Sequence, residues 1–196
     1  MPDVISIVDV LASAAPPAVQ PTCGLNLPGL LGCLRVFPVG NVLSVPPVLG
    51  SVHQGEVVLR DPRNYADLWF QAGSGQYEEP EDEDGQGDFY KQKLSVLVPR
   101  DEPDVAAAIA AYRSLRYFVA LYQDGNGYTK LVGSPASPLR FEAALSTGQR
   151  PGDRNAHTIV FAVNSPTPAY FYQHFPATAG SRRVFSAGFT FGFQRT

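Results

Sequence analysis

The chain has 196 residues, enough for one full hydrophobic core and short for two, so we expect a single domain with long appendages. Its formal net charge is −3, with 15 Lys and Arg against 18 Asp and Glu, which argues against a general nucleic-acid binder because phosphate neutralisation needs a basic surface. Eighteen glycines, eighteen prolines and twelve phenylalanines against one methionine predict a mainly β (α+β) protein rather than a helical bundle.

The two cysteines, Cys23 and Cys33, fit neither a disulfide-dense secreted scaffold nor a four-ligand zinc site, and a disulfide between them stays open. No basic segment followed by an apolar run indicates a signal peptide, and no apolar run has the length of a membrane span. We therefore expect a soluble protein that is made in a cytoplasm and has no membrane partner.

Composition divides the chain into a proline-rich apolar arm at residues 1–50 and a β domain at residues 51–196. Over residues 10–55 Arg35 is the only charged side chain, the prolines exclude a regular helix, and the leucines must be covered. The arm packs either on its own domain or on a neighbouring copy. Its candidate contact residues between copies are Leu25, Leu27, Leu30, Leu31 and Phe37.

Further along, residues 53–60 and 68–72 are predicted strands, and an acidic stretch follows them. Seven of the eleven residues from 78 to 88 are acidic: Glu78, Glu79, Glu81, Asp82, Glu83, Asp84 and Asp88. Like charges at this density repel one another and cannot be buried together, so the stretch is predicted to be a solvated loop. It lacks the ligand order of an EF-hand, which disfavours calcium, and it could form a repulsive wall facing an anionic molecule.

A strand at residues 89–99 is followed by the clearest local pattern, a helix at 103–115. Val105, Ile109 and Tyr112 recur at three- and four-residue intervals, and proline and acidic residues stand where the helix begins. The next residues predict a β-hairpin, because glycine and asparagine separate two aromatic, β-branched runs. A sheet is therefore expected on both sides of the helix.

The remaining predicted strands are 117–122 and 128–132 of that hairpin, then 139–145, 158–163 and a short aromatic piece at 167–172. The chain's last segment alternates strictly from Phe185 to Phe193, with Phe189 and Phe191 on the same face. Such a strand is expected to join a sheet, either its own or that of another copy, so these phenylalanines are further candidate contacts between copies.

Motifs for chemistry are missing from the sequence. His53, His157 and His174 stand at no metal-ligand spacing, and neither a nucleophile elbow nor a phosphate-binding loop with its lysine is present. We therefore predict no catalytic residue, no metal site and no cofactor, and expect the protein not to be an enzyme.

Part of the chain resembles structural proteins of tailed phages and prophages. The resemblance is carried by Tyr117-Phe-Val-Ala-Leu-Tyr-Gln-Asp-Gly-Asn-Gly-Tyr-Thr-Lys-Leu-Val-Gly-Ser-Pro-Ala-Ser-Pro-Leu-Arg-Phe141, by Pro151-Gly-Asp-Arg-Asn155 and by Ala169-Tyr-Phe-Tyr172. The resemblance covers roughly residues 30 to 175. It implies the tail-tube fold that phage tubes share with type VI secretion tubes: a β-sandwich or half-barrel with one flanking helix.

The resemblance implies a tube subunit of the virion tail, assembled in the bacterial cytoplasm into stacked hexameric rings that contact other tail proteins and pass DNA without binding it. In such a tube the acidic stretch would line the rim or lumen and repel phosphate. A tail terminator, a collar or a baseplate ring protein is an alternative. A second alternative is a carbohydrate-binding or adhesin-like β-sandwich, whose sugar-stacking residues would come from Trp69, Tyr65, Tyr77, Tyr122, Tyr128, Tyr170 and Tyr172.

Overall fold

The computed structural model describes residues 26–84, 87–149 and 155–173 of the chain. These residues form fourteen strands and one α-helix. The strands are β1 Leu30–Pro38, β2 Val42–Ser44, β3 Val48–Leu49, β4 Val52–His53, β5 Val58–Leu59, β6 Ala66–Trp69, β7 Gln76–Glu78, β8 Glu81–Asp84, β9 Gly87–Pro99, β10 Tyr117–Asp124, β11 Thr129–Val132, β12 Leu139–Ser146, β13 Ala156–Ser165 and β14 Tyr170–Tyr172. The helix, α1, is Pro103–Leu115, and a 3₁₀ turn covers Val39–Asn41. The predicted class, mainly β with a single helix, is confirmed.

Strand β10 is the centre of the sheet. It pairs antiparallel with β1 along one edge and with β11 and the start of β12 along the other. Phe118 and Tyr122 contact the larger of two hydrophobic cores, while Val119 and Leu121 contact the smaller one. Because side chains alternate across a strand, this division means that β10 is buried on both faces, as its continuous apolar sequence requires.

Twelve strands belong to one mixed sheet, with the order β3-β4-β14-β11-β10-β12-β13-β9-β7. In addition, β1 joins β10 to β6, and β8 pairs with β9 beside β7. The sheet curls, because the backbone N–H of Gln71, just after β6, donates to the carbonyl of Leu97 in β9 at 2.9 Å. The larger core fills the concave side of this open, curled sheet.

Helix α1 packs against the larger core. Val105, Ile109 and Tyr112 are buried there, on the single apolar stripe that their spacing predicts. The helix ends where Arg116 takes a φ of 65° and its backbone N–H donates to the Tyr112 carbonyl. The predicted bounds of the helix, 103–115, are confirmed.

The segment between β1 and β6 covers the second face of β10. Strands β2 and β5 pair as a small separate sheet, and apolar residues of both contact the smaller core. Asn41 fixes the path of the chain, since its side-chain amide donates to the carbonyls of Asp61 and Asn64 and its carbonyl oxygen accepts from the backbone N–H of Asp61. The segment therefore forms an outer layer on its own domain.

A buried ion pair lies beneath this outer layer. The Arg35 guanidinium donates to both carboxylate oxygens of Asp67, at 2.6 and 2.9 Å, and lies over the Tyr65 ring at 4.6 Å. Burial lowers the pKa of Arg35, but the hydrogen bond and the charge of Asp67 raise it by more, so the net shift is upward. Both side chains are almost completely buried, so each depends on the other for compensation of its charge.

The structure corrects the predicted arm. The chain enters the sheet at β1, so the domain boundary near residue 50 is wrong. Of the prolines that indicated an arm, Pro28 precedes this strand and Pro38 ends it. Leu30 and Phe37 are buried in cores of their own chain, which is inconsistent with their assignment as contacts between copies. Leu27 and Leu31 are exposed and stay candidates, while Leu25 lies outside the described residues.

The strands predicted at 117–122, 128–132, 139–145 and 158–163 are confirmed as β10 to β13, with shifts of one or two residues at some ends. The strand predicted at 53–60 is instead the two short strands β4 and β5. The alternating segment with Phe185, Phe189, Phe191 and Phe193 lies outside the described residues, as does Cys23. Within the described ranges, no helix combines the length and apolarity needed to cross a membrane.

Candidate functional site: an acidic hairpin

A long antiparallel hairpin carries the acidic stretch. Strands β7 and β8 both pair with β9 and keep one register, which places Glu79 opposite Gln92. Between the two strands lies Pro80, whose carbonyl accepts from the Lys91 backbone N–H at 2.9 Å, although proline has no N–H to donate in return. β7 and β8 therefore form one edge strand interrupted at a proline. We call residues 76–95 the acidic hairpin.

The loop predicted at residues 78–88 is wrong, because β8 and the start of β9 occupy most of it. The stretch would have to be a loop only if all of its carboxylates pointed to the same side, where they would repel one another. In a strand, however, neighbouring side chains point to opposite faces, and residues directly opposite in the partner strand share a face. The alternation therefore divides the acidic side chains between two faces of the hairpin.

One face, the solvent face, carries its own counter-charges. The Lys93 ammonium lies 3.6 Å from a carboxylate oxygen of Glu78, and Lys91 pairs with Asp82. The hydrogen bond from Lys91 lowers the pKa of Asp82. Solvent screens exposed pairs of this kind, so they neutralise this face more than they stabilise it.

The opposite, inner face is the one on which Leu94 reaches the larger core. Beyond the core it carries Glu79, Glu81, Glu83 and Asp88. All three lysines of the chain lie within 4.0 Å of a carboxylate of the hairpin. Of the three, only Lys130 pairs with a carboxylate of the inner face, that of Glu79. Among the described residues, the other three carboxylates have no cationic side chain within 4.0 Å.

Two observations show that these carboxylates are close enough to act electrostatically on one another and on the same neighbouring groups. The negative charge of Glu81 raises the pKa of Tyr90, with smaller contributions from burial and from the charges of Asp88 and Glu79. Glu83 and Asp88 are directly opposite in the ladder, an arrangement of like charges that destabilises a strand pair. Beyond Glu79, the inner face is therefore a concentrated negative surface without counter-charges from the described residues.

Glu79 anchors the base of the hairpin to the rest of the sheet. Its Oε1 accepts from the Ala169 backbone N–H at 2.5 Å and from the Gln92 side-chain amide at 3.2 Å. The same Gln92 amide donates to the Thr167 carbonyl at 2.9 Å, and the Lys130 ammonium lies 4.0 Å from Glu79 Oε2. These contacts join β7, β9, β11 and the approach to β14.

Past this anchor the hairpin projects from the sheet. The ladder between β13 and β9 ends at the pair Ser165 and Tyr90, while β8 continues the pairing to Gly87. Residues 87–89 therefore pair with β8 alone in the described structure, an extension of about 10 Å at roughly 3.3 Å per residue. Glu83 and Asp88 lie on this exposed extension, and Glu81 lies at its base, opposite Tyr90.

Other predicted residues are not brought together into a site. The His53 ring bonds the Pro46 carbonyl and His157 bonds Asp101, while His174 lies outside the described residues. Over the described part of the chain, no three metal-ligating side chains are grouped. Of the aromatic residues considered for sugar stacking, Tyr128 is the one that is mostly exposed; the others are half-buried or buried.

Comparison of the chain with protein-family models, with curated protein sequences and with solved structures gives no match.

Proposed function

We propose that the protein is a non-enzymatic, self-assembling structural subunit, of the kind its sequence resembles: a tube subunit of a phage tail that forms stacked hexameric rings. The observation that supports the proposal most is the inner face of the acidic hairpin. Among the described residues, three of its carboxylates, those of Glu81, Glu83 and Asp88, have no counter-charge within 4.0 Å, and Glu83 and Asp88 repel one another across the ladder.

In the proposed assembly, the inner faces of the hairpins border the channel. Glu81, Glu83 and Asp88 from each copy would create a negative rim, and like-charge repulsion would keep the phosphates of passing DNA from binding. The solvent face, which is neutralised by Lys91 and Lys93, would point away from the channel. In this role the protein is a passive conduit within the virion tail, built in the host cytoplasm and in contact with other tail proteins.

Negative-stain electron microscopy of the purified full chain tests the assembly. We expect closed rings, and at higher protein concentration stacked rings with a continuous central hole. A single ring that never stacks would move the assignment to a terminator, collar or baseplate ring of the same particle. A monomer at high concentration would overturn the proposal.

A three-dimensional reconstruction of the rings tests the role of the hairpin separately. We expect β8 at the wall of the central hole with Glu81 and Glu83 facing it. Hairpins that point to the outside of the ring would refute the channel role and leave the assembly itself intact.

A further inference from the structure

Apolar side chains are exposed along residues 42–59, which include β3, the strand at the other end of the main sheet's order from the acidic hairpin, and the separate strand pair β2 and β5. Leu43, Val48, Leu49 and Val58 are 55, 37, 72 and 51% exposed, and all belong to the segment 42–59 that forms β2 to β5. We call this segment the apolar end. Four other residues of the segment, Val42, Val45, Val57 and Leu59, contact the smaller core, whereas in the described structure these four side chains are open to solvent.

The apolar end also includes an edge strand of the sheet that carries no charge. β3 is the first strand of the sheet order, and within the described residues its outer edge pairs with nothing. Proteins usually guard such edges with charge, proline or a bulge. The edge strand of the acidic hairpin has both proline and charge, whereas β3, which follows Pro46 and Pro47 directly, has proline beside it and no charge.

The chain leaves the described structure close to this edge. Strand β14 pairs in parallel with β4, the direct neighbour of β3, and the description ends one residue later at Gln173. Phe185 comes twelve residues after Gln173, a length of chain that can span at most about 40 Å. The alternating phenylalanines at 185–193 can therefore reach a surface on an adjacent molecule.

We propose that residues 184–193 of one copy dock on the apolar end of a neighbouring copy. The inference rests on the proposed function, because a ring requires two different surfaces on each subunit that meet head to tail. The phenylalanine segment and the apolar end are two such surfaces, and each supplies the apolar area that the other lacks. Four partly exposed aliphatic side chains give a small contact, which gains strength from its repetition around a closed ring.

Cross-linking of mixed chains tests the contact. One chain carries Leu49→Cys and the other Phe189→Cys, both with Cys23→Ser and Cys33→Ala, and a short bis-maleimide joins cysteines that meet. We expect a covalent dimer of the two chains. The matched control replaces Leu49→Cys by Leu145→Cys, on a residue of similar type that is 46% exposed in β12, and should give no dimer.

Two results would overturn the docking. The first is a chain carrying both cysteines that cross-links only within itself, which would mean that the segment covers its own apolar end. The second is no cross-link at all. Because the cysteine variants could themselves fold poorly, Leu49→Asp in the natural cysteine background provides a second measurement: it should abolish assembly, whereas Leu145→Asp should leave assembly intact.

The outcomes separate this inference from the proposed function. Rings seen by microscopy without the cross-link would refute the docking and leave the tube assignment standing. A cross-link between copies that form only open chains would support the docking and refute the closed ring.

Discussion

The acidic hairpin includes the last strand in the order of the main sheet, and the apolar end includes the first, β3, together with the separate pair β2 and β5. Different forces hold these two regions in place. Polar contacts around Glu79 anchor the hairpin, and charges cover its extension. Apolar contacts with the smaller core hold the apolar end, together with the buried pair of Arg35 and Asp67 beneath it. One end thus presents charge to solvent, and the other presents apolar side chains.

The difference between the two ends indicates how one domain can restrict its contacts with other copies to one of its surfaces. An edge that carries several carboxylates resists pairing with another strand, while the β3 edge, which has no charge, resists it less. We therefore expect contacts between copies to form at the apolar end, and the inner face of the hairpin to stay free. The effect of a substitution at one end can therefore be compared with the effect of a substitution at the other end.

The largest effect is expected from the ion pair beneath the outer layer. Arg35→Leu leaves the Asp67 carboxylate buried without a partner, which should lower the free energy of unfolding by about 3–5 kcal/mol in a urea titration. The double variant Arg35→Leu/Asp67→Leu should recover much of the loss, since it removes both charges. A single variant as stable as the natural chain would show that this pair does not hold the layer.

A smaller effect is expected at the anchor of the hairpin. Glu79→Ala deprives the Ala169 N–H and the Gln92 amide of their shared acceptor, and should cost about 1–3 kcal/mol in the same titration. Glu79→Gln keeps an acceptor oxygen and loses only the weak attraction to Lys130, so it should cost less than about 1 kcal/mol. Glu81→Ala, on the same face without such partners, is the matched control. Equal losses in all three variants would contradict the anchor.

The smallest effect concerns alkaline pH. Burial and the negative charge of Glu79 raise the pKa of Tyr77, and burial raises the pKa of Tyr122 beside it. A raised pKa in the folded state favours the protonated form, so stability is complete below the unfolded value of about 10 and falls as the pH rises above it.

Tyr77→Phe should therefore reduce this alkaline fall by less than about 1 kcal/mol at pH 11, after allowance for screening by solvent. The measurement is the urea midpoint between pH 8 and 11. Tyr128→Phe, at an exposed ring, serves as the control. If stability falls equally between pH 8 and 11 in Tyr77→Phe and in the natural chain, Tyr77 is not a source of the fall.

Local patterns in the sequence predict a large part of the fold. The spacing of Val105, Ile109 and Tyr112 predicts the helix, and the apolar run at 117–122 indicates the central strand. The place of β1 cannot be read in the same way, because its partner residues are far along the chain, with Leu30 opposite Asp124. Proline flanks and the scarcity of charge give this strand the composition of an arm.

The acidic hairpin was not predicted from the sequence, for a different reason. Charge density alone predicts a solvated loop, whereas the alternation within the stretch decides the structure. Lys91 and Lys93 stand two residues apart, on the same face of a strand that runs opposite the carboxylates. That spacing is a signal in the sequence for a hairpin with one neutralised face. The role of Lys130 depends on the tertiary fold and has no such signal.

The central claim is that the apolar end carries assembly and the inner face of the hairpin does not. Sedimentation velocity of three full-length chains tests it directly: the natural chain, Leu49→Asp, and the triple variant Glu81→Gln/Glu83→Gln/Asp88→Asn. We expect the natural chain and the triple variant to sediment as the same large assembly, and Leu49→Asp to sediment as a monomer. An assembled Leu49→Asp together with a monomeric triple variant would contradict the claim.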